Sequence, residues 1–150
     1  MRQEKEAEQI FAVVRIRGSA KTRTDVNDAA EKLGLKRVNH CAVIPADKTH
    51  IGLLKKASSR LTWGEISEEM LIRLIEKRGR TIDGSRLEPK AAKPAAEKIF
   101  KAKSVKGSGI CPVFRLSPPS KGLRSVRLHH PRGDLGYRGG KINQLLERML

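Results

Sequence analysis

Arg115, Lys121, Arg124, Arg127, Arg132, Arg138 and Lys141 recur through a stretch rich in glycine and proline, and the only acid between residues 104 and 141 is Asp134. Guanidinium and ammonium groups at this density, without carboxylates to neutralise them, suit one chemistry above others: holding phosphate oxygens through charge-assisted hydrogen bonds. Leu116, Leu123, Val126, Leu128 and Tyr137 are interspersed among them. A solvated, disordered basic loop has little use for such side chains, so the spacing predicts a loop anchored to a core. An anchored cationic loop is a phosphate-binding surface.

The excess of positive charge runs through the whole chain but unevenly. Thirty-two Lys and Arg against 16 Asp and Glu leave 150 residues at +16. Residues 1–60 hold 13 basic and 7 acidic side chains (+6), residues 61–100 hold 8 and 7 (+1), and residues 101–150 hold 11 and 2 (+9). A partner that neutralises both ends is an extended polyanion, and nucleic acid is the first suspect. The near-neutral middle is expected mostly to pack on protein. Aromatic residues make up only 3% of the chain, and Phe11, Phe100 and Phe114 all lie in apolar runs that read as core. Recognition is therefore expected to rest on phosphates and shape rather than on base stacking.

Other chemistries fit less well. Gly136-Tyr137-Arg138-Gly139 matches the Gly-x-x-Gly clamp of KH domains, but Pro131 and Gly133 stand where the preceding helix belongs. The flanking glycines still allow Tyr137 and Arg138 a close approach to RNA. Gly140-Lys141 lacks both the first glycine (Leu135) and the magnesium-binding hydroxyl (Ile142) of a nucleotide loop. His40, His50, His129, His130, Cys41 and Cys111 match no zinc spacing, so neither a metal nor a cofactor is expected. Cys111 between Ile110 and Pro112 reads as a small buried residue, and Glu68-Glu69 as favourable charge in a first helical turn.

The elements that must position these residues are legible in part. Ile10 to Arg17 is a β-rich run closed by Gly18, expected as a strand buried on both faces. Thr24 caps a predicted helix with Val26, Ala29, Ala30 and Leu33 at helical spacing, stopped by a left-handed Gly34. Arg37 to Ile44 is the next expected strand, a helix after Thr49 presents Ile51, Leu54 and Ala57, and Leu61 to Ile66 is a third strand. Such a β-α-β-α-β order puts both helices on one face of a three-stranded sheet and leaves the other face open for a partner or an extra element. Ser67 caps a helix to Arg78 that ends at Gly79, with Met70, Leu71, Leu74 and Ile75 as its stripe. Residues 80–93 read as a polar connector, and Pro94 starts a helix to about Lys103 with Ile99 and Phe100 inward. Val113 to Leu116 is a short strand, which Ser117-Pro118-Pro119 cannot continue. Ile142 to Leu150 is a closing helix.

The length supports one ordinary domain or a small core with an appendage. The charged start, Met1 to Glu8, resembles neither a signal peptide nor a membrane span, and two cysteines seventy residues apart fit a reduced, cytoplasmic setting without a membrane.

Val13-Val-Arg-Ile-Arg-Gly18, Leu35-Lys-Arg-Val-Asn-His-Cys-Ala-Val-Ile-Pro45, Ile51-Gly-Leu-Leu54 and Leu61-Thr-Trp-Gly-Glu-Ile66 occur in an order that resembles the L-thirty family of large-subunit ribosomal proteins. Phe114-Arg-Leu-Ser-Pro-Pro-Ser-Lys-Gly122, Leu135-Gly-Tyr-Arg-Gly139 and Lys141-Ile-Asn-Gln-Leu-Leu146 look like its archaeal C-terminal extension, related to the eukaryotic L-seven protein. The resemblance implies an α+β fold: an N-terminal tail at 1–9, a ferredoxin-like β-α-β-α-β core at 10–66, and a helical, loop-rich extension at 67–150. It implies no catalysis. It also implies RNA-facing roles for Arg15, Arg17, Arg37, Asn39 and His40 in the core, more loosely for Lys21 and Arg23, and for Arg115, Lys121, Tyr137, Arg138 and Lys141 in the extension. Arg124, Arg127 and Arg132 join them from the basic loop. Two positions depart from the family pattern: Gly52-Leu53-Leu54 stands where Gly-Met-Leu is common, and Arg132-Gly133-Asp134 where a glycine pair is expected.

The implied partners are large-subunit (23S-type) rRNA, with 5S rRNA a further candidate, and neighbouring ribosomal proteins, with one copy per ribosome in the cytoplasm. Two other readings are a general nucleic-acid binder that compacts DNA or chaperones RNA, and an RNA-modifying or RNA-cleaving enzyme using His129 and His130.

Overall fold

A computed structural model describes residues 9–150 of the chain, so that all of the expected N-terminal tail except Gln9 lies outside the described residues. Strand β1 (Ile10–Arg15) is buried at all six positions, because it is the middle strand of the sheet and has protein on both faces. Strand β2 (His40–Pro45) pairs with it antiparallel on one side, with Val13 opposite Ala42. Strand β3 (Leu61–Glu65) pairs antiparallel on the other, with Val13 opposite Trp63. The extension adds a strand at each edge: β4 (Val113–Arg115) antiparallel to β2, and β5 (Gly136–Tyr137) parallel to β3. The order is β4-β2-β1-β3-β5. This is the mixed α+β architecture expected for a ferredoxin-like core.

Alternation along β1 divides the apolar residues into two layers. Phe11 and Val13 face helices α1 (Thr24–Lys32) and α2 (Lys48–Lys56), packing with Ala29, Ala30, Leu35, Leu54 and Trp63. Ile10, Ala12 and Val14 face the other way, onto α3 (Glu68–Arg78), α4 (Pro89–Ala102) and α5 (Ile142–Met149). The face that a bare β-α-β-α-β unit leaves open is thus covered by the extension itself. Leu71, Leu74, Ile75, Ile99 and Leu146 are wholly buried there, each stabilising the fold by about 1.5–3 kcal/mol.

Several boundaries differ from the sequence reading. β1 stops at Arg15 rather than Arg17, because the N–H groups of Ile16 and Arg17 both converge on the Arg60 carbonyl and break the ladder. β2 starts at His40 rather than Arg37, since Asn39 adopts a left-handed φ of 64° that no strand accommodates. Thr24 does not cap α1; it is already in the first turn, where Asp25 Oδ1 accepts the Val26 N–H. Gly34 does take the left-handed stop, at φ 83°. Ser67 caps α3 through a bond from the Met70 N–H to its Oγ at 3.3 Å. Helix α4 begins at Pro89, not Pro94: Pro89 takes the favoured first turn, and Pro94 sits exposed in the helix interior, where it offers no N–H to the ladder. Phe100 is 37% exposed rather than inward, one position round the helix from the buried Ile99. Cys111 is only half-buried.

One close approach fixes the last part of the chain to the sheet. A Cβ on Gly64 would stand 2.0 Å from the Gly139 carbonyl oxygen, so β3 accepts the 3-10 turn Gly139–Lys141 only because residue 64 has no side chain.

Candidate nucleic-acid interface

The pairing register gathers one cationic group at a single end of the sheet. Arg15 pairs with Leu61, which brings Arg60 beside Arg15 and Arg17, and on the far side His40 pairs with Arg115. Burial, Arg17 and Arg15, in that order, lower the pKa of Arg60, which records this crowding. The Arg60 guanidinium also donates to the Lys21 carbonyl at 3.4 Å, drawing the 18–23 loop to the same end. Sequence reading missed Arg60. The antiparallel order of β1 and β3 is the signal that locates it, since the residue before β3 must lie beside the end of β1.

Arg15 stands apart from the other expected RNA-facing residues. It is 1% exposed and faces inward on the α1 side, where Nη1 donates to the Leu35 carbonyl at 2.6 Å, Nη2 to Asn27 Oδ1 at 3.0 Å and Nε to the Arg17 carbonyl at 2.9 Å. Burial lowers its pKa and the nearby Glu31 carboxylate opposes that shift. The side chain joins β1 to α1 and the turn that follows it. Arg17, Asn39 and His40 are half-buried at the rim, while Lys21, Arg23, Arg37 and Arg115 are exposed. Arg23 shares an exposed ion pair with Asp25 at 3.4 Å, a contact of little energetic weight. Burial and then the charges of Arg115 and Arg37 hold the His40 pKa below its ordinary 6.5.

The basic loop of the extension is organised around its single acid. Asp134 is buried, and its carboxylate accepts the backbone N–H groups of Arg124 and Ser125 while pairing with Arg138 at 3.1 Å. Arg138 also donates from Nε to Thr62 Oγ1 at 2.9 Å, and its own N–H reaches the Trp63 carbonyl. Its side chain is 7% exposed, and it knits β5 to β3. Gly133, at the departure from the expected glycine pair, passes so close to Leu128 that a Cβ would lie 2.1 Å from the Leu128 carbonyl. The Tyr137 hydroxyl donates to Glu65 and its ring meets Phe11 edge-on at 6.4 Å.

With the frame so held, Lys121, Arg124, Arg127, Arg132 and Lys141 are exposed. Lys121 and Gly122 turn through φ of 66° and 69°, and Arg148 on α5 donates to the carbonyls of Ser120 and Gly122, presenting Lys121 at the tip. Because β5 is parallel to β3 and starts beside Thr62, the loop feeding it arrives at the sheet end where Arg17 and Arg60 stand. Burial, Arg138 and Lys141 lower the pKa of His130, against an opposing Asp134. Among the described residues no three His, Cys, Asp or Glu side chains come together, and no helix is long and apolar enough to cross a membrane.

Residues 11–59, from β1 through α2, match the family described as Ribosomal protein L30p/L7e. A Methanococcus maripaludis protein named large ribosomal subunit protein uL30 is 41% identical, the match covering 93% of this chain and 99% of that protein. The chain belongs to the L30p/L7e family. Proteins of the same name from Thermofilum pendens, 37% identical over 94% of this chain and 99% of their own length, and Archaeoglobus fulgidus, 36% identical over 93% and 99%, extend the likeness. All three relatives match through the extension as well as the core, so the covered sheet face and the Asp134-centred loop lie within the stretch shared with L30p/L7e proteins.

Proposed function

We propose that the chain is a structural, non-catalytic constituent of the large ribosomal subunit that binds and positions rRNA. The observation that carries this reading is the split of its basic residues by role. Arg15, Arg138 and Arg148 are consumed in fixing backbone, while the half-buried Arg17 and a larger exposed set, from Lys21 and Arg37 to Lys121, Arg127 and Arg132, are displayed around that frame. Fixed cations neutralise and position phosphates at set points, which is assembly chemistry rather than turnover. Residues 10–66 serve as the frame, and residues 67–150 as an archaeal-type extension that closes the sheet and carries the second cationic surface. The partners are 23S-type rRNA and neighbouring large-subunit proteins, with one copy per cytoplasmic ribosome.

The test is sedimentation of tagged chain through a high-salt gradient from cells expressing it. Co-migration with large subunits at unit stoichiometry is expected. Recovery at the top of the gradient, with equal affinity for any duplex, would point instead to a general nucleic-acid binder.

A further inference from the structure

Helix α3 ends in Lys77-Arg78-Gly79, and the chain then turns through a tight hairpin in which Arg80 and Arg86 form an antiparallel bridge. The hairpin is braced by Thr81 N–H to the Ser85 carbonyl, Leu87 N–H to the Gly79 carbonyl, and Cys111 N–H to the Arg80 carbonyl. Between this hairpin, the end of α3 and the edge strand β4 lies a cleft of about 500 Å³ walled by Lys77, Arg78, Gly79, Arg80, Arg86, Arg115 and Leu150. Five of those seven residues are cationic and none has a carboxylate side chain. Arg78 is anchored, donating to Ser117 Oγ at 2.6 Å and to the Leu150 main-chain oxygen at 3.3 Å, while Lys77, Arg80, Arg86 and Arg115 are exposed.

We infer that this cleft is a second RNA-docking site, which takes consecutive backbone phosphates of an rRNA segment. The exposed cations converge on braced backbone with no acidic side chain among the lining residues, the Leu150 main-chain oxygen being taken up by Arg78, and they repel one another until an anion enters. Four of the five are arginines, whose planar forks match phosphate oxygens in pairs. No aromatic residue lines the walls, so a ligand is held by its charge and not by stacked bases, which favours a phosphate backbone over a free nucleotide. Arg115 belongs both to the cleft and, through its pairing with His40, to the sheet end described above, so one RNA path runs from Arg37 into the cleft. That continuity favours RNA over an acidic segment of a neighbouring protein. Lys77, Arg80 and Arg86 come from the near-neutral stretch expected to pack on protein; there seven acids, among them Asp83 at the hairpin itself, cancel their charge in sequence but do not line the cleft.

The inference rests on the proposed rRNA-binding role, and the experiment separates the two. Affinity of the full chain for protein-free large-subunit rRNA is measured as a function of salt for wild type, Arg80→Gln/Arg86→Gln, Lys77→Gln, and the loop variant Arg127→Gln/Arg132→Gln, with thermal unfolding as the fold control. If each cleft cation meets a phosphate, the logarithmic salt slope becomes shallower by about 1–2 units in the double cleft variant and by about 0.7–0.9 in Lys77→Gln. A steep wild-type slope, flattened by the loop variant but by neither cleft variant, overturns the inference and leaves the rRNA role standing. Loss of retention in assembled subunits without loss of affinity for naked rRNA also overturns it, in favour of an acidic protein partner. A shallow wild-type slope strikes at the role itself.

Discussion

Asp134 and Arg138 form an ion pair at 3.1 Å with side chains only 11% and 7% exposed, and the same carboxylate holds the N–H groups of Arg124 and Ser125. A carboxylate that organises a cationic loop lowers the net charge available to a polyanion by one, yet fixes where the remaining charges stand. Replacing Asp134 by Ala leaves a buried guanidinium without its counter-ion and two amides without an acceptor. A stability loss of about 3–5 kcal/mol is expected, read by denaturant unfolding. Affinity for rRNA falls in the same variant despite its extra positive charge, because Arg124, Arg127 and Arg132 are no longer fixed. A rise in affinity would show that net charge alone governs binding.

Arg15 and Arg17 are two residues apart and opposite in role. Truncating Arg15 strands the Leu35 carbonyl beneath α1, so Arg15→Ala is expected to cost about 2–3 kcal/mol of stability. Arg17→Ala leaves unfolding within about 0.5 kcal/mol of wild type and weakens RNA binding. Unfolding curves and binding isotherms on the two variants separate these outcomes.

His40 carries a pH signature. Its pKa is lowered in the fold by burial and by Arg115 and Arg37, so the neutral form is favoured. Its contribution to stability is present above the unfolded value near 6.5 and is lost as pH falls through the lowered folded value. RNA phosphates beside Arg37 and Arg115 oppose that repulsion and raise the pKa again. Binding therefore takes up a proton, and rRNA affinity is expected to rise between pH 7.5 and 5.5 more in wild type than in His40→Gln. Identical pH profiles for the two proteins would remove His40 from the interface.

The two thiols differ in accessibility. Cys41 is wholly buried in β2, and burial pushes its pKa up to about 12, whereas Cys111 is half-buried at the edge of the hairpin. An aromatic disulfide reagent at pH 8 is expected to titrate Cys111 in the native protein and Cys41 only after denaturation. Simultaneous reaction of both would mean that β2 opens far more readily than its pairing on both sides implies.

The fold was legible where the pattern was long. The unbroken apolar run of β1 and the Ser67-capped stripe of α3 announced themselves, and the free face of the small sheet was expected to take either a partner or an extra element. The short edge strand β4 was read at Val113 to Leu116, but two residues carry too little periodicity to be read, so that β5 became visible only through its pairing with Thr62 and Trp63. Charge was legible as a total but not as a set of roles. Arg15 shares a face of β1 with Phe11 and Val13, so strict alternation pointed inward, yet its position at a strand end made it look displayed. Arg138 looked like a phosphate ligand because its partner Asp134 lies four residues back in a loop, where no helical spacing marks the pair. Arg80 and Arg86 were hidden by averaging, since the seven acids of residues 61–100 offset them in the count, although none of those acids lines the cleft.

The most direct test is RNA crosslinking mapped by mass spectrometry on purified large subunits that contain the chain. Adducts are expected at Arg17, Arg37, Arg115, Lys121, Arg127 and Arg132, with rRNA segments joining the sheet end to the extension loop, and none at Arg15 or Arg138. Absence of the chain from subunit fractions, or adducts at Arg15 and Arg138 with none on the exposed set, would contradict the account.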